Sequence, residues 1–192
     1  MIEENAKLWF PLRIRHSSEV RLEEMKALLE KEEAVDEVYI PLTFMRKSAT
    51  VMDFGPMFSN LLFVHTTLGS LRAIKAQREK YERIRYVMHQ DYDEDYNKHL
   101  EVVYISDKRM ADVKTIIENA NQNVVFLNNP NFICKPGQSV QITQGPFAGV
   151  VGVLKSFKKH LCVVVPIGNI GAIGVTLVPK KHLVYLPDNK KY

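Results

Sequence analysis

Residues 140–153 read VQITQGPFAGVVGV, and this stretch decides the fold of the C-terminal part of the chain. Val140 and Ile142, then Val151 and Val153, alternate with polar or small residues, the period-2 pattern of a half-buried strand. Between the arms, Gly145-Pro146-Phe147-Ala148-Gly149 supplies turn chemistry. Glycine admits positive φ, and proline fixes φ while removing a donor that no turn needs. Gly152 falls inside the returning strand, where glycine marks a bulge or a close backbone approach. Pro136-Gly137 opens the segment with a further turn signal. The reading is two short strands joined by a tight turn.

Working outward, only short strands follow. Ser139–Thr143, Val150–Phe157, His160–Ile167, Ala172–Val178 and Leu183–Leu186 predict a small five-stranded barrel. So few residues are marginal for independent stability, and closing the sheet removes its edges. Upstream, strands and helices are intermixed to about Asn123. That shift marks the domain boundary: residues 1–123 as the first domain, 124–135 as a linker, 136–192 as the barrel. The hinge is placed at Asn128–Asn131; its flanks, VVFL and FIC, are too apolar for a solvated tether, which predicts a partly docked linker. The fold class is α+β: an antiparallel sheet with packed helices, then a small barrel.

In the first domain, LWFPLRIR (Leu8–Arg15) puts Leu8, Phe10, Leu12 and Ile14 on one face and Trp9, Pro11, Arg13 and Arg15 on the other. Ser17-Ser18-Glu19 offers a helix cap, and Leu22, Met25, Leu28 and Leu29 form the apolar stripe behind it. Val35–Ile40 is the next strand. Phe44–Ala49 reads as a hairpin tip, Thr50–Phe54 as the strand after it, and Gly55-Pro56 as a break. Phe58–Thr66 (FSNLLFVHT) is apolar on both faces and predicts a central strand. Ser70 is the expected cap of a helix carrying Leu71, Ile74 and Tyr81. Ile84–Met88 and Leu100–Ile105 are extended, around an exposed acidic loop at Asp91–Asp95, and Ser106-Asp107 caps a helix bearing Met110, Val113, Ile116 and Ile117.

The bulk composition narrows the function. A hydrophobic share of 46% and a charged share of 25% belong to an ordinary globular chain, and no apolar run is long enough for a membrane span. The acidic start MIEENAKLWF lacks the basic start and apolar middle of a signal peptide. Cys134 and Cys162 have no CxxC spacing, which predicts reduced thiols and a cytoplasmic protein without a metal site. A net charge of +4 permits nucleic-acid contact without demanding it. No GxSxG, phosphate loop or HExxH is present, and the 6 histidines are scattered, so no enzyme and no cofactor is expected. Asp91, Asp93 and Asp95 alternate like calcium ligands but lack the glycine and closing glutamate of an EF-hand loop.

The pattern PGQSV-QI-x-x-GPFAG-x-x-G-V resembles the KOW motif, carried here by Gly145, Pro146, Phe147, Gly149 and Gly152. Ahead of it stand an aromatic pair, Trp9-Phe10, an F-x-N-x-L-F-V stretch from Phe58 to Val64, and the helix start Ile105-Ser106-Asp107-Lys108. In this order, from about Leu8 to Leu186, the chain resembles the NusG family of transcription elongation factors. Housekeeping members carry P-G-Y where this chain has Ser59-Asn60-Leu61. Asn60 is more similar to the RfaH and UpxY antiterminators of capsule loci, although those keep the proline that Ser59 lacks.

The resemblance implies a NusG N-terminal (NGN-like) domain that binds the clamp helices of RNA polymerase, followed by an SH3-like KOW barrel. It makes Trp9, Phe58, Leu61 and Phe63 the candidate polymerase anchors, the alternative being ordinary core. Arg13, Arg15, His16 and Arg21 become candidate contacts to the non-template DNA strand or nascent RNA, the alternative being a solvated basic face. The run Arg72, Lys75, Arg78, Lys80, Arg83, Arg85 ranks second, diluted by Glu79 and Glu82. Ile167 and Ile170 flank a glycine-containing loop that in the family contacts ribosomal protein S10 or the Rho terminator. An operon-specific antiterminator is the leading expectation. A general NusG-type factor and a ribosome-associated RNA-binding KOW protein are the alternatives.

Overall fold

The structure is a computed structural model that describes residues 5–16, 18–46, 52–92, 98–120, 124–127, 137–157 and 160–187. The chain divides into two compact units, Met1–Asp107 and Lys108–Tyr192. The first holds β1 (Lys7–Ile14), α1 (Glu19–Leu29), β2 (Glu37–Tyr39), β3 (Leu42–Arg46), β4 (Met52–Pro56), β5 (Leu61–Thr67), α2 (Leu68–Ala76), α3 (Arg78–Tyr81), β6 (Ile84–Tyr86), β7 (Met88–Tyr92) and β8 (Lys98–Val102). Its main sheet is antiparallel in the order β2-β5-β1-β6, and β3–β4 and β7–β8 are separate two-stranded ladders.

The alternation in β1 and β5 builds the core. Phe10, Leu12, Ile14, Leu62 and Val64 pack in one cluster with Leu22, Met25 and Leu29 of α1 and Leu68, Leu71 and Ile74 of α2. Burial of such side chains contributes about 1.5–3 kcal/mol each, the main favourable term holding helices to sheet. Ser18 caps α1 as expected, accepting from the Arg21 N–H at 3.3 Å. The α2 cap differs from expectation: Thr67 accepts the Ser70 N–H at 3.1 Å, so the helix begins at Leu68 and Ser70 lies inside it. Phe44–Arg46 belong to β3, and Gly55-Pro56 are the last residues of β4 rather than a break after Phe54, because Leu42 through Arg46 pair with Pro56 through Met52. The remainder of the expected tip, the centre of the acidic loop, the Asn128–Asn131 hinge and Cys134 lie outside the described residues.

The boundary falls at the start of α4 (Asp107–Glu118). After it come β9 (Val124–Leu127), β10 (Gln138–Ile142), β11 (Val151–Phe157), β12 (His160–Ile167), β13 (Gly171–Thr176) and β14 (Leu183–Tyr185). All are antiparallel neighbours in the order β14-β10-β11-β12-β13-β9. Two expectations are corrected here. The sheet has six strands, because VVFL of the expected linker pairs along β13, Val124 opposite Val175 and Leu127 opposite Ala172. It is also not closed: among the described residues β14 and β9 are its two edges.

Within the second unit, two α4 side chains satisfy the backbone of one residue. Arg109 donates to the Val151 carbonyl at 3.2 Å, and Asp112, itself buried, accepts from the Val151 N–H. Burial holds the Asp112 carboxyl above the ordinary range, partly offset by that hydrogen bond and by Arg109 and Lys108. An acid whose folded pKa is raised binds its proton more tightly when folded, so its charge costs stability above that pKa, and the cost fades as pH falls through it. Asp112→Asn keeps an acceptor for Val151 and removes the charge. Thermal unfolding should show a higher Tm for the variant at neutral pH, with the gain shrinking toward the ordinary aspartate range. A lower Tm at neutral pH would mean that pairing with Arg109 outweighs desolvation.

Candidate nucleic-acid interface

Three segments far apart in sequence meet at the C-terminal end of β1. The Ile14 N–H donates to Asn60 O at 2.9 Å, and the Arg15 N–H donates to Arg83 O at 3.0 Å. These bonds tie the turn before β5 and the segment leading into β6 to the same point. Arg13 lies directly opposite Arg85 across the β1–β6 ladder. Like charges directly opposite each other in a sheet are destabilising. Among the described residues neither arginine has a carboxylate at ion-pair distance, and Arg85 donates instead to the Ile84 carbonyl at 2.8 Å and to the Glu82 carbonyl. His16 sits in the left-handed region at φ 51°, and Arg21 of α1 donates to its carbonyl.

The result is an open groove of about 360 Å³ lined by Arg13, Ile14, Arg15, His16, Ser59, Asn60 and Arg85. Charged donors converge there with an amide and a hydroxyl. Of the four expected nucleic-acid residues, Arg13, Arg15 and His16 line the groove, while Arg21 supports its rim through the His16 carbonyl. Of the second-ranked basic run, Arg85 alone lines this groove. Ser59 and Asn60 belong here too; their polar turn chemistry before β5 was legible, but not its neighbours.

The expected polymerase anchors divide. Trp9, Leu61 and Phe63 are buried, with Phe63 fully so. Phe58 is half-buried, its ring centroid 6.5 Å from that of Phe63, and the Tyr39 ring stands at the same distance from Phe63. Trp9 stacks tilted at 5.0 Å on His65, whose Nδ1 is 3.2 Å from Asp36 and whose Nε2 is 3.0 Å from Asp107. His65 is a site feature the sequence reading missed, having passed it over as one of several scattered histidines.

The turn of the second unit has the geometry its glycines predict. Gly145 and Gly149 take φ of 85° and 92°, and the Gly149 N–H closes on Ile142 O at 2.7 Å. Phe147 is buried beneath the turn while Pro146 is exposed. Gly152 lies opposite Val140, and a Cβ there would stand 2.7 Å from the Val164 carbonyl oxygen. Gly152→Ala should therefore push β12 off β11 and cost about 1–3 kcal/mol in denaturant unfolding; an unchanged midpoint would show that the strands yield freely. Ile167, expected in an accessible loop, is fully buried at the end of β12, and only Ile170 keeps part of its surface.

Among the described residues no three His, Cys, Asp or Glu side chains are placed to hold a metal ion. Cys162 is a free, buried thiol pushed up to about 12 by that burial, which keeps it protonated and unreactive. No helix among the described residues is long and apolar enough to cross a membrane. No protein-family model matches the chain. No curated protein matches it either. A solved structure titled "Domain interaction in Thermotoga maritima NusG" is similar at a TM-score of 0.45 and 17% identity, over 94% of this chain and 98% of that one.

Proposed function

We propose that this chain is a non-enzymatic transcription elongation factor of NusG type, which rides RNA polymerase and holds a single strand of nucleic acid in the basic groove. The observation that carries the reading is the unneutralised Arg13–Arg85 pair, opposite each other at the groove with Arg15, His16 and Asn60 beside it. Two facing arginines cost the sheet stability, and an anion seated between them would offset that repulsion. A phosphodiester backbone supplies one negative charge per nucleotide, and Asn60 offers an amide to a base edge. The order of motifs along the chain, from Trp9-Phe10 through Phe58–Val64 to the Gly145–Gly152 turn, supports the NusG-type assignment.

On this reading the polymerase clamp helices meet the β5 side of the first unit. Phe58 is the half-buried ring a partner would touch first, whereas Trp9, Leu61 and Phe63 stand behind it. The second unit would offer Ile170 to a ribosomal protein S10-like or Rho-like partner in the cytoplasm. Asn60 favours an operon-specific antiterminator over a general factor. Purified polymerase halted at a defined pause provides the test. Adding the chain should shorten the pause lifetime. Unchanged lifetimes, together with capture of ribosomal subunits but no polymerase from an extract, would move the assignment to the ribosome. Genome-wide occupancy then separates one locus from all genes.

A further inference from the structure

We propose that the bound strand does not end in the groove but turns around the β6 edge of the sheet, placing a second phosphate between Lys75 of α2, Arg78 of α3 and Arg85 of β6. The proposal rests on the single-strand reading above and extends it to residues that do not line the groove. β6 is the edge strand of the main sheet, so nothing in that sheet blocks passage around it. Successive strand residues point to opposite faces. Arg85 accordingly lines the groove, while its neighbour Tyr86 packs against the helix-side core. Lys75 lies over that tyrosine, its Nζ 5.5 Å from the ring centroid. The cations thus run from one face to the other with Arg85 at the corner.

The cluster is crowded in a way its own chain does not relieve. Burial, then Arg85, then Arg78, hold the Lys75 amine below the ordinary lysine range. Among the described residues none of Lys75, Arg78 and Arg85 has a carboxylate at ion-pair distance. Nearby Lys80, by contrast, reaches Glu32 at 3.4 Å. Burial raises the half-buried Tyr86 hydroxyl further above the ordinary tyrosine range, partly offset by Arg72, so it is a protonated donor. A point charge on a flexible stem, two guanidinium forks and a hydroxyl donor are the groups that take phosphate oxygens. The ligand class is a single-stranded phosphodiester of several nucleotides, and the same chemistry serves DNA and RNA.

The test uses the full chain, a trinucleotide and a twelve-nucleotide strand of each nucleic acid, and binding across a salt series. For Lys75→Ala with Arg78→Ala, the log-affinity against log-salt slope for the longer strand should flatten by about 0.7, the value for one lost phosphate contact. Trinucleotide binding should stay as in the wild type, because the groove contacts remain and so short a strand does not turn the β6 edge. Equal flattening with DNA and RNA marks backbone recognition; flattening with one only names the source. In the wild type, amine acylation at Lys75 should slow at least tenfold when the longer strand is bound, and not with the trinucleotide. An unchanged slope and unprotected Lys75, with groove binding intact, would overturn the proposal. Absence of any salt-dependent strand binding by the wild type would overturn the groove reading beneath it.

Discussion

Phe63→Ala lowers the stability of the first unit by about 3–5 kcal/mol, the cost of deleting a fully buried aromatic ring. The ring sits on central β5, with Pro11 opposite on β1 and Tyr39 opposite on β2. The rings of Tyr39 and Phe58 both stand 6.5 Å away. Whole domains are stable by only about 5–15 kcal/mol, so the variant should melt well below the wild type. Phe58→Ala is the informative companion, because Phe58 is half-buried and its loss should cost much less. Thermal unfolding and polymerase affinity are measured together on both variants. Phe58→Ala should keep its fold and lose at least tenfold in affinity, as an interface anchor does. If Phe63→Ala unfolds like the wild type, the ring is not core. If Phe58→Ala binds polymerase undiminished, the β5 side is not the docking face.

The second large effect is electrostatic. Replacing Arg13, Arg15 and Arg21 by alanine removes three cations from the groove and its rim. Single-strand affinity falls with salt at about −0.7 per neutralised phosphate, so the slope should flatten by about 2 units. The stable fold should survive: Arg13 and Arg15 are exposed, and deleting Arg13 relieves its repulsion with Arg85. Arg21 is the one with a structural duty, through the His16 carbonyl at the left-handed turn. Arg21→Ala alone reports that contribution. Polymerase binding by apolar burial should persist, which gives a variant that rides the enzyme yet fails to hold the strand. An undiminished slope would leave these arginines as a solvated face.

Much of the fold was legible because its signals are local. Turn glycines, the Ser18 cap and the alternation in β1 and β5 each depend on residues within one element. What escaped depends on partners far along the chain. VVFL carries no mark that separates a docked linker from a strand, since its identity as β9 comes only from lying beside β13. Closure failed for the same reason: five alternating segments predict strands but do not say whether the last meets the first. Ser70 and Thr67 both offer a capping hydroxyl within one turn, and the backbone chose the earlier. At the site, Arg13 and Arg15 were readable as a basic cluster. That Arg85 belongs with them is a fact of β1–β6 register, which single-sequence periodicity cannot supply. Ile167 was misplaced because strand length, not glycine content, sets which residues of a connection are exposed.

The most direct measurement is strand occupancy on a paused elongation complex, followed by site-specific cross-linking from Asn60 to the displaced single strand across a salt series. The proposed function predicts a cross-link to that strand which requires polymerase, weakens steeply with salt, and is lost in the Arg13, Arg15 and Arg21 variant while the protein remains bound to the enzyme. A cross-link that is absent in the wild type, or that survives loss of all three arginines with its salt dependence unchanged, would contradict it.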